Sequence, residues 1–194
     1  MKKLLLFLMF IPLLGFTQTL NKVDLNGLKQ GDWKKYFDNG NLRYNGVFKN
    51  DNPQGIFMYY YDSGELQAEK EFFHSGEAAA THLFYKNGKL KAAGIYVNEL
   101  KDSTWNYFST DSVLIMSEQY QKGKLNGITK TYYYTGELYE IKNWTQGVEN
   151  GFWIQYFIKG KTKMQTLINY GVREGKTVYY FPNGKVYYNG SYLA

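Results

Sequence analysis

Gly31-Asp32-Trp33-Lys34-Lys35-Tyr36-Phe37-Asp38-Asn39-Gly40-Asn41-Leu42 decides the fold. An aromatic-rich stretch runs into Asn39-Gly40, the strongest short signal for a β-hairpin turn, and the apolar Leu42 follows two residues on. Stepping forward 24 residues at a time recovers the same pattern. Gly31 leads to Gly55, Ala79, Ser103, Gly127, Gly151 and Gly175. Tyr36 leads to Tyr60, Phe84, Phe108, Tyr132, Tyr156 and Tyr180, and Phe48 to Phe72, Tyr96, Tyr120, Trp144, Ile168 and Tyr192. No insertion or deletion interrupts the register, so the chain is an array of repeats.

Each unit reads as a hairpin. Trp33 to Phe37 is a first strand, Asp38-Asn39-Gly40 its turn, and Asn41 to Phe48 a second strand. Gly-marked segments such as Gly123 to Gly127 read as the turns between units. The expected architecture is all-β: an antiparallel meander of seven 24-residue β-hairpins, about fourteen strands, forming an elongated twisted sheet. In the second strand, the positions of Leu42, Tyr44 and Phe48 are mostly apolar, and those between them mostly polar. Period two therefore gives one packed and one wet face. Trp33 and Tyr36 are three apart and cannot share a face of a flat strand. Either a bulge falls between them or Tyr36 caps the turn, and the sequence leaves both open. The unbroken aromatic column at Tyr36 is expected to be buried, with Tyr132 as its representative.

Three segments follow. Residues 1–17 read as a secretory leader: basic Lys2-Lys3, an apolar run from Leu4 to Leu14, then small residues before a cut between Thr17 and Gln18. That run is short for a membrane span, and lipidation has no cysteine to use. An uncleaved anchor or a buried first strand is the alternative. Residues 18–26 read as a linker and 27–194 as the repeat domain, with units starting at 31, 55, 79, 103, 127, 151 and 175. The expected location is therefore outside the cytoplasm, in the periplasm or beyond the cell.

Composition agrees. Twenty Tyr, 13 Phe and 4 Trp with 20 Gly and 3 Pro suit strands and tight turns. The formal charge is +6, of which Lys2 and Lys3 supply two, and no basic run makes a stripe for phosphates, so nucleic acid is not an expected partner.

The pattern carried by Gly31, Trp33, Tyr36, Phe37, Gly40 and Leu42 closely resembles the MORN repeat variant of bacterial proteins, including the YwqK-type chains labelled as toxin–antitoxin antitoxins. The resemblance covers residues 27–194. It implies a β-hairpin scaffold used for contact with proteins and sometimes with membrane surfaces, and an immunity-like or antitoxin-like partnership.

No catalytic motif stands out. His74 and His82 lack ligating residues at metal spacing on both sides, and Glu71 and Glu77 flank His74 in an expected turn. Glu69 and Glu71 alternate on one strand face, which reads as a solvated face. No cofactor and no enzymatic activity are expected. The expected function is binding of a protein partner in the cell envelope or extracellular space. A cell-surface glycan or cell-wall polymer is the alternative, suggested by the array of Tyr and Trp. Tyrosines off the repeat columns gather from residue 127 onward. The candidate contact row is Tyr139, Lys163 and Tyr187, which share one column and alternate with Leu138, Thr162 and Val186. Period two points them to the wet face, where tyrosines suit contact.

Overall fold

Turn chemistry and strand pattern agree along the chain, and the result is one continuous sheet. The structure, a computed structural model, describes residues 20–193; the leader and its cleavage site lie outside them. The strands are β1 (Lys22–Val23), β2 (Lys29–Tyr36), β3 (Leu42–Lys49), β4 (Asn52–Tyr60), β5 (Leu66–Phe73), β6 (Ala78–Phe84), β7 (Leu90–Val97) and β8 (Leu100–Phe108). They continue as β9 (Leu114–Gln121), β10 (Lys124–Tyr132), β11 (Leu138–Thr145), β12 (Val148–Glu149), β13 (Gly151–Tyr156), β14 (Thr162–Asn169), β15 (Val172–Tyr180) and β16 (Val186–Tyr192). Each pairs antiparallel with its sequence neighbours, β12 and β13 both lying against β11, and the sheet does not close. The meander of hairpin repeats is as the sequence predicts. One difference is at the start: β1 lies in the expected linker and pairs with β2.

The two kinds of turn differ. Within a unit, Gly40 N donates to Phe37 O and Phe37 N to Asn41 O, 2.9 and 2.8 Å, with positive φ at Gly40 but not at Asn39. This is the three-residue loop with a left-handed third residue, not a two-residue Asn-Gly turn. Between units the turns are two-residue and left-handed at both positions: Asn50-Asp51, Asn98-Glu99, Lys122-Gly123, Gln146-Gly147 and Tyr170-Gly171. The expected turn from Gly123 to Gly127 is thus turn only at its start. Lys124 and Leu125 already pair with Gln121 and Tyr120, and a bulge follows before Thr129 meets Glu118. Gly127 serves that bulge, with φ 108°.

Unit three departs from this plan. Ala79 stands at the bulge position, and alanine resists positive φ. The β5–β6 pairing accordingly runs without a shift from Phe73↔Ala78 to Ala68↔Leu83. The residues that a bulge absorbs elsewhere are displaced into an enlarged turn between β5 and β6, where a short 3-10 segment spans His74–Gly76. Ser103, by contrast, takes the glycine conformation, with φ 58°, and keeps its bulge.

The core is a spine along one face. Apart from Ala78, the buried residues occupy five repeat columns, those of Gly31, Trp33, Tyr44, Gly46 and Phe48. Pairing puts these columns on one side: Gly31↔Phe48, Trp33↔Gly46, Lys35↔Tyr44. The Trp33 column is the most deeply buried, with Phe57, Thr81, Trp105, Thr129 and Thr177 all enclosed. Its members alternate in size against the Gly46 column. Phe57 and Trp105 lie over Gly46 and Gly94, where a Cβ would overlap the ring. The small Thr81 and Thr129 instead face long Lys70 and Glu118. Large beside small fills the space without strain.

One expectation is corrected here. The Tyr36 column is not the buried one: Tyr36 is exposed and Tyr132 only half-buried. It sits at the hairpin ends, where its carbonyls are used. The hydroxyls of Tyr61, Tyr85 and Tyr133 donate to the carbonyls of Phe84, Phe108 and Tyr156, each at 2.8 Å, tying one unit to the next. A register shift does fall at Lys35 and Tyr36, but its extra residue, Arg43, lies in β3, so no extra residue falls between Trp33 and Tyr36 in β2.

Candidate functional site

That same shift determines where the predicted contact row points. Lys35 pairs with Tyr44 and Tyr36 with Leu42, so Arg43 is the extra residue. Tyr139, Lys163 and Tyr187 are its equivalents in later units, each skipped by the ladder. An extra residue breaks strict alternation. Gln155 Nε2 lies 3.2 Å from Tyr139 Oη and 2.8 Å from Glu140 Oε1, and Tyr179 touches the rings of both Tyr187 and Tyr188 at 5.8 and 5.9 Å. Consecutive residues therefore reach the same side, the one that carries the spine. Tyr139 and Lys163 are half-buried, and Tyr187 is 55% exposed. Tyr139 also packs on Tyr133 at 5.1 Å. Tyr139 and Tyr187, expected on the wet face, thus lie at an edge of the packed face, and Val186, expected to be packed, is exposed.

The packed face holds a ladder of cations on aromatic rings. Lys29 lies over Trp33 and Phe48 at 5.2 and 4.7 Å. Lys70 lies over Tyr59 and Tyr96, and Lys101 over Trp105, Tyr107 and Tyr120 at 4.9 to 5.1 Å. Lys142 and Arg173 both lie over Trp153, at 4.6 and 5.0 Å. Such contacts attract a cation to the ring quadrupole, and partial burial strengthens them. The aliphatic stems also cover ring surface that a second layer would otherwise shield.

Hydrogen bonds knit this face. Lys101 Nζ donates to Tyr107 Oη and Tyr120 Oη to Glu118 Oε2, both at 2.7 Å. Burial, then the Tyr120 and Glu118 contacts, push the Tyr107 hydroxyl far above the ordinary tyrosine range. Burial lowers the Lys70 ammonium, with Glu99 opposing it. Glu140 accepts from Trp153 Nε1 at 2.7 Å, and Lys142 pairs with Glu149 at 3.3 Å. No nucleophile–base pair arises in this network.

Between units two and three the face opens into a groove of about 550 Å³, lined by Phe57, Phe72, Tyr59, Lys70, Pro53 and Gly76, among others. Its wall is the enlarged turn of unit three, which folds against Pro53: a Cβ on Gly76 would come within 2.8 Å of the proline ring. Asp51, Glu77 and Glu99 also line the groove. Sequence reading missed this site. Its signal was the Ala78-Ala79-Ala80 run, which removes bulk and a bulge together.

The histidines do not assemble a site. His74 is an exposed turn residue stacked edge-on to Phe73, and His82 lies 3.8 Å from Glu69. Among the described residues, no three His, Cys, Asp or Glu side chains gather in a way that could hold a metal.

The family model of the MORN repeat variant matches residues 29–50, 53–74 and 173–194. These are the hairpins β2–β3, β4–β5 and β15–β16. These three hairpins are MORN repeat variants. The hairpins between them keep the 24-residue register, with Ala79, Ser103 and Ser112 at positions that hold glycine in the matched hairpins. No curated protein matches the chain. Among solved structures, one described as the crystal structure of GtfA/B complex bound to UDP and GlcNAc is similar at 11% identity with a TM-score of 0.22. The match covers 71% of this chain, which spans 22% of that one, and carries no argument about fold or function.

Proposed function

We propose that this MORN-variant chain is an exported, non-catalytic scaffold that binds another protein through its packed face. The observation that carries the reading is the ladder of Lys and Arg on Tyr and Trp, along a face that no second layer covers among the described residues. Tyr, Trp and Arg dominate protein contact surfaces because they combine apolar area with hydrogen bonding. The row of Tyr139, Lys163 and Tyr187 contributes at the border of that face. An immunity-like partnership is the specific form that the resemblance implies. A glycan partner is less favoured, because two of the four indoles a sugar would stack on are covered: Trp105 is fully buried and Trp153 lies beneath Lys142 and Arg173.

The test is capture of cross-linked partners by the processed chain from envelope and secreted fractions, beside a panel of cell-wall polysaccharides. Recovery of one protein, weakened in a Tyr139→Ser, Tyr187→Ser variant that still melts cooperatively, supports the reading. Retention by a polysaccharide alone overturns it. Export is tested separately by mass spectrometry of the secreted protein: a chain beginning at Gln18 is expected, and retained Met1 contradicts the leader.

A further inference from the structure

Seven copies of one position make the molecule its own control. The column of Lys29 continues as Pro53, Glu77, Lys101, Leu125, Glu149 and Arg173. Where it holds a cation, that cation lies on rings of the packed face. Lys101 does so most fully, over Trp105, Tyr107 and Tyr120. Unit two supplies the same three ring positions as Phe57, Tyr59 and Phe72, and Phe57 meets Phe72 edge-on at 5.2 Å. Its own strand, however, places Pro53 where Lys101 would be. The ring set is complete, and its own strand supplies no cation at the Pro53 position, Lys70 from β5 lying over Tyr59 instead.

The surroundings favour a cation from outside. Asp51, Glu77 and Glu99 are among the residues that line the groove, and Lys70 is the one Lys or Arg beside them, so the lining is net acidic, although Asp51 Oδ1 also accepts from the Lys29 backbone N–H. Lys70 is held to one side, over Tyr59 and Tyr96. A groove of about 550 Å³ admits a long side chain and its neighbouring backbone. Rings and carboxylates in one lining suit an ammonium or guanidinium on an alkyl stem. We propose that the groove between units two and three receives a lysine or arginine side chain from an extended segment of a partner protein. This rests on the protein-binding reading and names the partner's chemistry.

The probe is the peptide Ac-Ala-Lys-Ala-NH2, titrated into the protein and followed by aromatic NMR signals of Phe57, Tyr59, Phe72 and Tyr96, with Ac-Ala-Glu-Ala-NH2 as control. Saturable shifts with the lysine peptide alone are expected. Pro53→Lys, which installs the resident cation of unit four, and the pair Glu77→Gln, Glu99→Gln should each weaken binding at least tenfold. Leu125→Lys, which adds the same charge in the same column outside the groove, should leave it intact, which separates filling of the groove from a change in net charge. No saturable shift, equal shifts with the glutamate peptide, or undiminished binding in Pro53→Lys overturns the proposal. A partner captured equally by wild type and Pro53→Lys sinks the groove and leaves protein binding standing. Lysine-peptide binding with no partner captured does the reverse.

Discussion

The indole of Trp105 occupies the space that any side chain at Gly94 would need, and its Nε1 donates to the neighbouring Ile95 carbonyl at 3.0 Å. The glycine is there for the ring, since its own φ is not positive. Gly94→Ala should therefore destabilise by about 1–3 kcal/mol through overpacking. Adding Trp105→Thr, which reproduces the Thr129 solution of the next unit, should recover some of the overlap cost. Denaturant melts of the singles and the double form the cycle, and strict additivity would show that the two residues are not coupled.

Burial ranks the aromatic columns differently from their regularity. Trp105→Ala should cost about 3–5 kcal/mol, as for a fully buried large aromatic. Tyr132→Ala should cost clearly less, because Tyr132 is half-buried. Equal losses in thermal midpoint would contradict this ranking.

The hydroxyl ties between units make a second series. Tyr61→Phe, Tyr85→Phe and Tyr133→Phe each remove one donor and leave the ring, so each should cost about 1 kcal/mol. The sites are separated by whole units and share no partner, so the triple variant should show the sum. A triple variant as stable as wild type would mean water replaces these bonds without loss.

Serine and alanine at glycine positions should respond oppositely. Ser103 and Ser112 sit at φ 58° and 67°, which L-residues adopt at a cost, so Ser103→Gly and Ser112→Gly should each stabilise by up to about 1 kcal/mol. Ala79 has no such strain, and Ala79→Gly should destabilise by about 0.5–1 kcal/mol through chain entropy. Thermal melts of the three variants decide it by sign alone.

The repeat, the hairpins and the meander were legible because their signals are local: turn residues at fixed offsets and a 24-residue register. Orientation at the hairpin ends was not. Period two assigns Tyr139 to the wet face only if every residue of the strand is paired, and the skipped position cancels that parity. The Trp33 column was available to reading, since its alternation of aromatic and Thr against Gly, Lys and Glu is written in the chain. Its burial follows only from knowing which strands are neighbours. The groove was hidden for a related reason. An alanine at one bulge position relocates residues into a turn, and the effect appears two strands away at Pro53.

Pairing restricted to sequence neighbours has a mechanical consequence. With β1 and β16 at opposite edges, tension applied to them runs across the strands, which are spaced about 4.8 Å apart, and not along them. Ladder bonds loaded that way break in succession, like a zipper, instead of sharing the load in shear. The array should thus yield at low force and lengthen strand by strand, giving a compliant tether whose loss of one terminal hairpin leaves the remaining units paired.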